Sequence, residues 1–330
     1  MSLKNRKLKY SLAINEAIYQ AMEKDESVFL IGQGVKSPWY VGNTTRGLIN
    51  KFGKDRVIDT PVSENAITGC AVGAAICGMK PIVVHPRMDF MLYAMDPIIN
   101  EAANWHFMTG GKLNVPIVIW GIINRGGEQG AQHSQALHGL FTHIPGLKVV
   151  APSTPYDAKG LMISAILDPD PVIFVDDRWL YNIEGEVPNN FYTVPIGRAN
   201  LIKMGEDVTL IASSYMVIEA LKAVDELAYL GIDVELIDLR TLKPLDNELL
   251  IDSVKKTGRV VVVDGGWKTM GLAAEILARV MEEAFRYLKA PIARVTLPDS
   301  PAPASSVLEE AYYPRKEDII IAIKKILSFS

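Results

Sequence analysis

The chain has 330 residues, 49% hydrophobic and 22% charged, with 34 basic against 38 acidic side chains and a formal net charge of −4. That length suits about two domains of ordinary globular composition. The mild acidity, with no long basic run, argues against nucleic acid as a partner, and no apolar run approaches the roughly 20 residues that span a bilayer. The basic opening, MSLKNRKLKY, lacks the apolar core of a signal peptide, so the expected location is cytoplasmic.

Apolar positions recur at helical spacing from Tyr10 to about Lys24, and SVFLIG then reads as a buried strand. KPIVVH, VPIVIWGI, GLKVVAP and PVIFVD continue the strand series, separated by helical stretches over 64–78, 90–107, 134–142 and 155–167. This is the rhythm of parallel βαβ units, and it predicts an α/β domain over residues 1–182. Pro, Asn and Gly break all periodicity in the next segment, read as a linker over 183–204. DVTLIASS, IDVELIDLR, GRVVVVDGG and APIARVTLP are four further strands, with helices expected near 215–230, 246–256, 269–287 and 316–328, giving a second α/β domain over 205–330. No repeat of 20 to 50 residues and no low-complexity tract interrupts this plan.

The stretch DTPVSENAITGCAVGAAICG, Asp59 to Gly78, places a carboxylate, Glu64, at the head of a helix with hardly another polar side chain. Such a helix is expected to be buried on all sides. Cys70 and Cys77 lie on it about 10 Å apart, beyond disulfide reach, and read as small buried packers. Familiar catalytic spacings are missing: there is no G-x-S-x-G, no G-x-x-x-x-G-K-[ST] and no H-E-x-x-H, and GQGVKS lacks the third glycine of a dinucleotide fingerprint. His133, His138 and His143 follow one another at steps of five residues. Each step turns a helix by about 140° net, so the three do not form a metal-binding face.

RVIDTPVSENAITGCAVGAAICGMKPIV, the run from GAQHSQALHGLFTHIPGLKVV to DPDPVIF, and GIDVELIDLRTLKPLD together resemble the beta subunit of the thiamine-diphosphate-dependent 2-oxo acid dehydrogenases. These are the decarboxylating components of the pyruvate, branched-chain and acetoin dehydrogenase complexes, and the similarity runs from about Tyr10 to Lys325. The resemblance implies a transketolase-like α/β architecture of two three-layer domains with mostly parallel sheets, a pyrimidine-binding domain followed by a transketolase C-terminal-like domain. It implies oxidative decarboxylation of a 2-oxo acid with acyl transfer to lipoyl-lysine. In this family a glutamate shares a proton with the aminopyrimidine ring of the cofactor, promoting the imino tautomer that deprotonates the thiazolium carbon. That task asks for a carboxyl group shielded from water, and Glu64 stands at the family's position after DTP-x-S.

Phe90 matches the aromatic residue that faces the aminopyrimidine, and Tyr93, three residues on, shares its helical face. His133, in GGEQGAQHSQ, matches a histidine of the active-site channel that assists acylation of the lipoyl group; it is expected at a helix N-terminus, which disfavours imidazolium. Family members can hold potassium through mainly backbone oxygens, at positions corresponding to Ile117, Ala165, Asp168 and Asp170. The G-D-G motif that grips the diphosphate through magnesium is lacking, since VVVDGGWK reads D-G-G and lies in the second domain. The resemblance therefore implies an alpha subunit that holds Mg2+ and the diphosphate, an α2β2 heterotetramer sharing the cofactor, and a lipoyl acyltransferase core as the acceptor.

Two departures stand out. Gln33 occupies a position that is acidic in the family, where a proton relay between paired sites is at stake, and it carries no charge. His85 and Arg87 precede Asp89 where apolar or acidic residues are usual, which suggests a substrate rich in hydroxyl or phosphate oxygens. Two rival readings remain: the C-terminal subunit of a split transketolase, transferring ketol units between sugar phosphates without a lipoyl partner, and an inactive scaffold.

Overall fold

The computed structural model describes residues 6–37 and 39–329. They cluster into two compact units, one of residues up to 125 with 140–196, the other of residues 126–139 with those from 197 on.

The first unit contains β1 (Arg6–Lys9), β2 (Val28–Gln33), β3 (Val57–Thr60), β4 (Lys80–His85), β5 (Val118–Ile123), β6 (Lys148–Val150), β7 (Val172–Asp177) and β8 (Glu184–Val187). Six of them lie in the order β6-β7-β5-β4-β2-β3, every pair parallel. All six positions of β5 and of β7 are buried, so these strands read as unbroken apolar runs rather than as alternation. The helix Tyr10–Lys24 packs against the helix Pro155–Leu167, burying Tyr10, Ala13, Ile14, Ala17 and Ile18. Thr154 caps the second of these, its hydroxyl accepting from Asp157 N at 3.1 Å. β1 and β8 form an antiparallel ribbon, Arg6 opposite Val187.

Strand order fixes where a ligand can enter. From β2 the chain goes to β3 on one side and then to β4 on the other, continuing to β5. The crevice at the carboxyl ends of β2 and β4 is thus the topological switch point, where open parallel sheets bind ligands. The two strands approach closely there: a Cβ on Gly32 would lie 2.6 Å from Val84 O, so only glycine fits.

The second unit holds β9 (Asn200–Lys203), β10 (Val208–Ala212), β11 (Val234–Asp238), β12 (Thr241–Lys243), β13 (Val260–Trp267) and β14 (Ala293–Leu297). Five strands run in the order β14-β13-β10-β11-β9, all parallel except β9, which is antiparallel to β11. The helices Met216–Tyr229 and Lys316–Leu327 bury Val217, Ala220, Val224, Ile319 and Ile323 in the core of this sheet. No helix among the described residues is long and apolar enough to cross a membrane. The architecture is two α/β units with mostly parallel sheets, as the apolar runs predict.

Candidate active site

Glu64 is the first residue of the helix Glu64–Ile76, which follows the carboxyl end of β3. It is half-buried, and among the described residues its carboxylate takes no hydrogen bond or ion pair. The helix is not buried on all sides in this chain. Ile67, Thr68, Ala71, Val72 and Ala75 are covered, whereas Asn65, Ala66, Cys70, Gly73 and Cys77 are exposed. Both thiols are free and exposed rather than packed in a core. An apolar sequence signals burial but does not say which chain supplies it, and the isolated chain leaves one face uncovered.

The same helix packs against the next segment, Met88–Ala94, a 3-10 helix continued by a π-helix over Asp96–Ala102 and an α-helix over Ala103–Met108. One continuous helix over 90–107 is the sequence expectation, and Pro97, which has no N–H to give the ladder, lies where the hydrogen-bond pattern changes. Residues three apart eclipse one another in a 3-10 helix, so Phe90 and Tyr93 share a face. Phe90 is half-buried, while Tyr93 is 72% exposed. The segment seats on the sheet because Gly121 in β5 has no side chain: a Cβ there would lie 2.5 Å from Met91 Sδ.

Around this group, Gln33 at the end of β2 donates through Nε2 to the Tyr40 hydroxyl at 2.8 Å, a neutral pair at the family's acidic position. His85, at the end of β4, does not reach outward as a donor for substrate. It is buried, its Nε2 lies 3.2 Å from Thr68 Oγ1 on the Glu64 helix, and desolvation lowers its pKa to about 4. It is therefore a neutral strut between β4 and that helix. Arg87 is half-buried, one guanidinium nitrogen donating to Pro86 O at 3.0 Å, and burial together with Arg178 lowers its pKa.

His133 lies elsewhere in the chain's organisation. It is half-buried in a turn, its N–H donating to Gly130 O at 3.4 Å, and its segment, residues 126–139, belongs to the second unit. The helix expected over 134–142 spans only His138–His143, so His133 precedes it by five residues and receives no helix dipole. Residues 134–137 are drawn out as irregular chain instead, and His138 is held by Asp264 at 2.8 Å.

Among the candidate potassium ligands, Ile117 O accepts from Val172 N at 3.0 Å. Lys148 Nζ binds both oxygens of Asp168, at 2.7 and 2.9 Å, and Asp170 Oδ2 at 3.2 Å. The acidic pair thus already has a cation, which leaves backbone oxygens as the donors for an ion. No cluster of three or more His, Cys, Asp or Glu among the described residues could hold a metal.

Residues 6–184 match the family model described as transketolase, pyrimidine binding domain, and residues 197–319 match transketolase, C-terminal domain. The chain is 48% identical to the beta subunit of acetoin:2,6-dichlorophenolindophenol oxidoreductase of Cupriavidus necator, over 98% of both chains. It is 43% identical to the pyruvate dehydrogenase E1 component subunit beta of Rickettsia conorii, over 96% of this chain and 98% of that one. The chain belongs to the beta-subunit family of the thiamine-diphosphate-dependent 2-oxo acid dehydrogenases. The bovine mitochondrial pyruvate dehydrogenase E1 beta subunit is 42% identical over 96% of this beta subunit and 89% of its own length. A solved structure titled "Split gene transketolase, inactive beta4 tetramer" superposes with a TM-score of 0.80 over 98% of this chain and 99% of its own, at 21% identity. That likeness speaks for the fold alone, and the transketolase reading gains nothing beyond it.

Proposed function

We propose that this beta subunit, together with an alpha subunit, oxidatively decarboxylates a 2-oxo acid on a shared thiamine diphosphate and passes the acyl group to lipoyl-lysine of an acyltransferase core. The observation that carries the reading is the half-buried, unpartnered Glu64 carboxylate at the switch-point end of the sheet, beside the segment bearing Phe90. When bound, thiamine diphosphate supplies the carbon nucleophile and electron sink for cleaving the bond next to a carbonyl. Glu64 holds a proton at the aminopyrimidine ring nitrogen, Phe90 and Tyr93 present aromatic surface to that ring, and His133 exchanges a proton with the acyl carbonyl oxygen during transfer. Mg2+ and the diphosphate fall to the partner, since this chain lacks the G-D-G motif, and potassium, where held, would rest on backbone oxygens of Ile117, Ala165, Asp168 and Asp170.

The uncovered face of the Glu64 helix supports an α2β2 assembly. Ala66, Cys70, Gly73 and Cys77 are exposed on it, and Val62, Leu92, Tyr93 and Phe107 are exposed elsewhere in the first unit. In the isolated chain Cys70 and Cys77 are expected to alkylate readily; in the complex with the alpha subunit both should be protected at least about tenfold, read by mass spectrometry of the labelled peptides. Equal labelling in the two states would remove this face from the assembly.

The direct test co-purifies the chain with the product of a neighbouring reading frame and assays a substrate panel with added thiamine diphosphate and Mg2+. The isolated chain should show almost no turnover, and the complex should decarboxylate pyruvate or a branched-chain 2-oxo acid. The name of the 48% identical relative favours acetoin as a second substrate reading, so acetoin belongs in the same panel. Turnover of ketose phosphates without lipoyl transfer would overturn the proposal.

A further inference from the structure

The D-G-G of VVVDGGWK, which cannot serve the diphosphate, has another partner. Asp264 Oδ1 accepts from His138 Nε2 at 2.8 Å, both side chains buried, and also from Gly266 N at 3.1 Å. Gly266 makes room for the imidazole: a Cβ there would lie 3.1 Å from His138 Cε1. One end of the segment 126–139 is thereby pinned to Asp264, in the middle of β13.

The other end is pinned by a second buried carboxylate. Gly126, Gly127, Glu128 and Gly130 all adopt left-handed φ values, between 61° and 72°. Glu128, the one side-chain-bearing residue of the four, is strained there, and its N–H donates to both oxygens of Glu309, at 3.0 and 3.2 Å. Glu309 lies in the helix Ser306–Tyr312 and is only 7% exposed. The Glu128 carboxylate returns the contact, accepting from Ser306 N at 3.2 Å, and Gly130 sits against Ala304. His133 lies midway between these two anchors.

We propose that Glu309 and Asp264 are positioning residues for His133, fixing the two ends of the loop that carries it. This rests on the reading of His133 as the proton-exchanging group in acyl transfer. A glycine-rich loop left to itself samples many conformations, and a displacement of about 1 Å at a reacting group can lower a rate by about a hundredfold. Charge-assisted hydrogen bonds accepted by a buried carboxylate at each end restrict the loop without touching substrate.

The test uses the complete alpha–beta complex with two rate assays, acylation of a free lipoyl domain and decarboxylation coupled to 2,6-dichlorophenolindophenol, together with hydrogen–deuterium exchange over residues 126–139. Glu309→Ala should lower lipoyl acylation by about ten- to a hundredfold, leave the dye-coupled rate within about twofold, and speed exchange in the loop. Glu309→Gln, which keeps an acceptor oxygen, should recover most of the loss. Asp264→Asn should give a smaller loss in the same assay, and it carries the test with Glu309→Gln should the alanine variant not fold. Equal losses in both assays, unchanged exchange, or failure of Glu309→Gln to recover activity would overturn the proposal. His133→Gln separates the two ideas: unchanged acylation in that variant defeats the role of His133, and faster loop exchange in Glu309→Ala with no acylation defect defeats positioning while leaving the anchor.

Discussion

Replacing Glu64 by Gln should reduce turnover of the reconstituted complex by about 10²- to 10⁴-fold, the range for losing a proton-transferring side chain. Glutamine keeps the shape and can hydrogen-bond, but it cannot hand over a proton. Stability should hardly change. Glu64 is half-buried and unpartnered, so the only folded-state term at risk is its interaction with the helix N-terminus, about 0.3 to 1 kcal/mol. The two effects therefore separate in measurement: steady-state rates with saturating thiamine diphosphate report the first, and unfolding midpoints with size-exclusion profiles of the complex report the second. If Glu64 served only the helix dipole, the variant would lose a few tenths of a kcal/mol and keep its rate. Turnover within about twofold of the parent would end the catalytic reading and revive that of a scaffold.

The sheets were legible for a physical reason. Strands buried on both faces appear as continuous apolar runs, so VFLIGQ, KPIVVH, VIWGII and VIFVDD stand out from their surroundings. The elements that sequence reading passed over are short and half-exposed: β1 alternates intermediate and exposed positions, and β8 and β9 lie inside the stretch read as a linker because neither buries a full face. Their pairing is long-range, Arg6 with Val187 for example, and no local pattern encodes it.

The candidate site was legible only in part. DTP-x-S-E marks Glu64 by motif and HPRMDF marks Phe90. Whether a side chain is bonded, however, depends on residues distant in sequence, and His85 shows this: two donors before Asp89 suggested a polar pocket, yet the imidazole is spent on Thr68. The turn around His133 escaped for a related reason. SQAL has no helix breaker, yet residues 134–137 are irregular, in a segment whose two ends bond to Glu309 and Asp264, the latter 126 residues away from its partner His138. A Gly-rich run signals freedom without saying what removes it.

As pH rises from 5 to 7 the parent should lose stability relative to Asp176→Asn, a difference that leaves out buried His85, whose pKa lowered to about 4 raises stability over the same range equally in both chains. Asp176 is fully buried near the end of β7; its Oδ2 accepts from Tyr181 OH at 2.7 Å and Trp120 Nε1 at 3.0 Å, while Oδ1 has no hydrogen-bond partner among the described residues. Desolvation dominates, offset in part by these two bonds and reinforced by neighbouring Asp177, and pushes the carboxyl to about 7 from 3.8. The sign follows from proton counting. Between those two values the folded chain binds more protons than the unfolded one, so raising the pH favours unfolding. The contribution is fully present below about 3.8, declines as pH approaches 7 and is spent above it. The shift of roughly three units corresponds to a contribution on the order of 4 kcal/mol, of which about 2 kcal/mol is lost between pH 5 and 7. Most paired carboxylates act in the opposite direction, with stability lost on acidification, so the comparison is diagnostic. Urea unfolding of the parent and of Asp176→Asn at pH 5, 6, 7 and 8, followed by the fluorescence of Trp120 and its neighbours, should show the two curves converging or crossing as pH rises. Curves that stay parallel across that range would mean that Asp176 is already ionised in the folded chain and that its free oxygen is solvated.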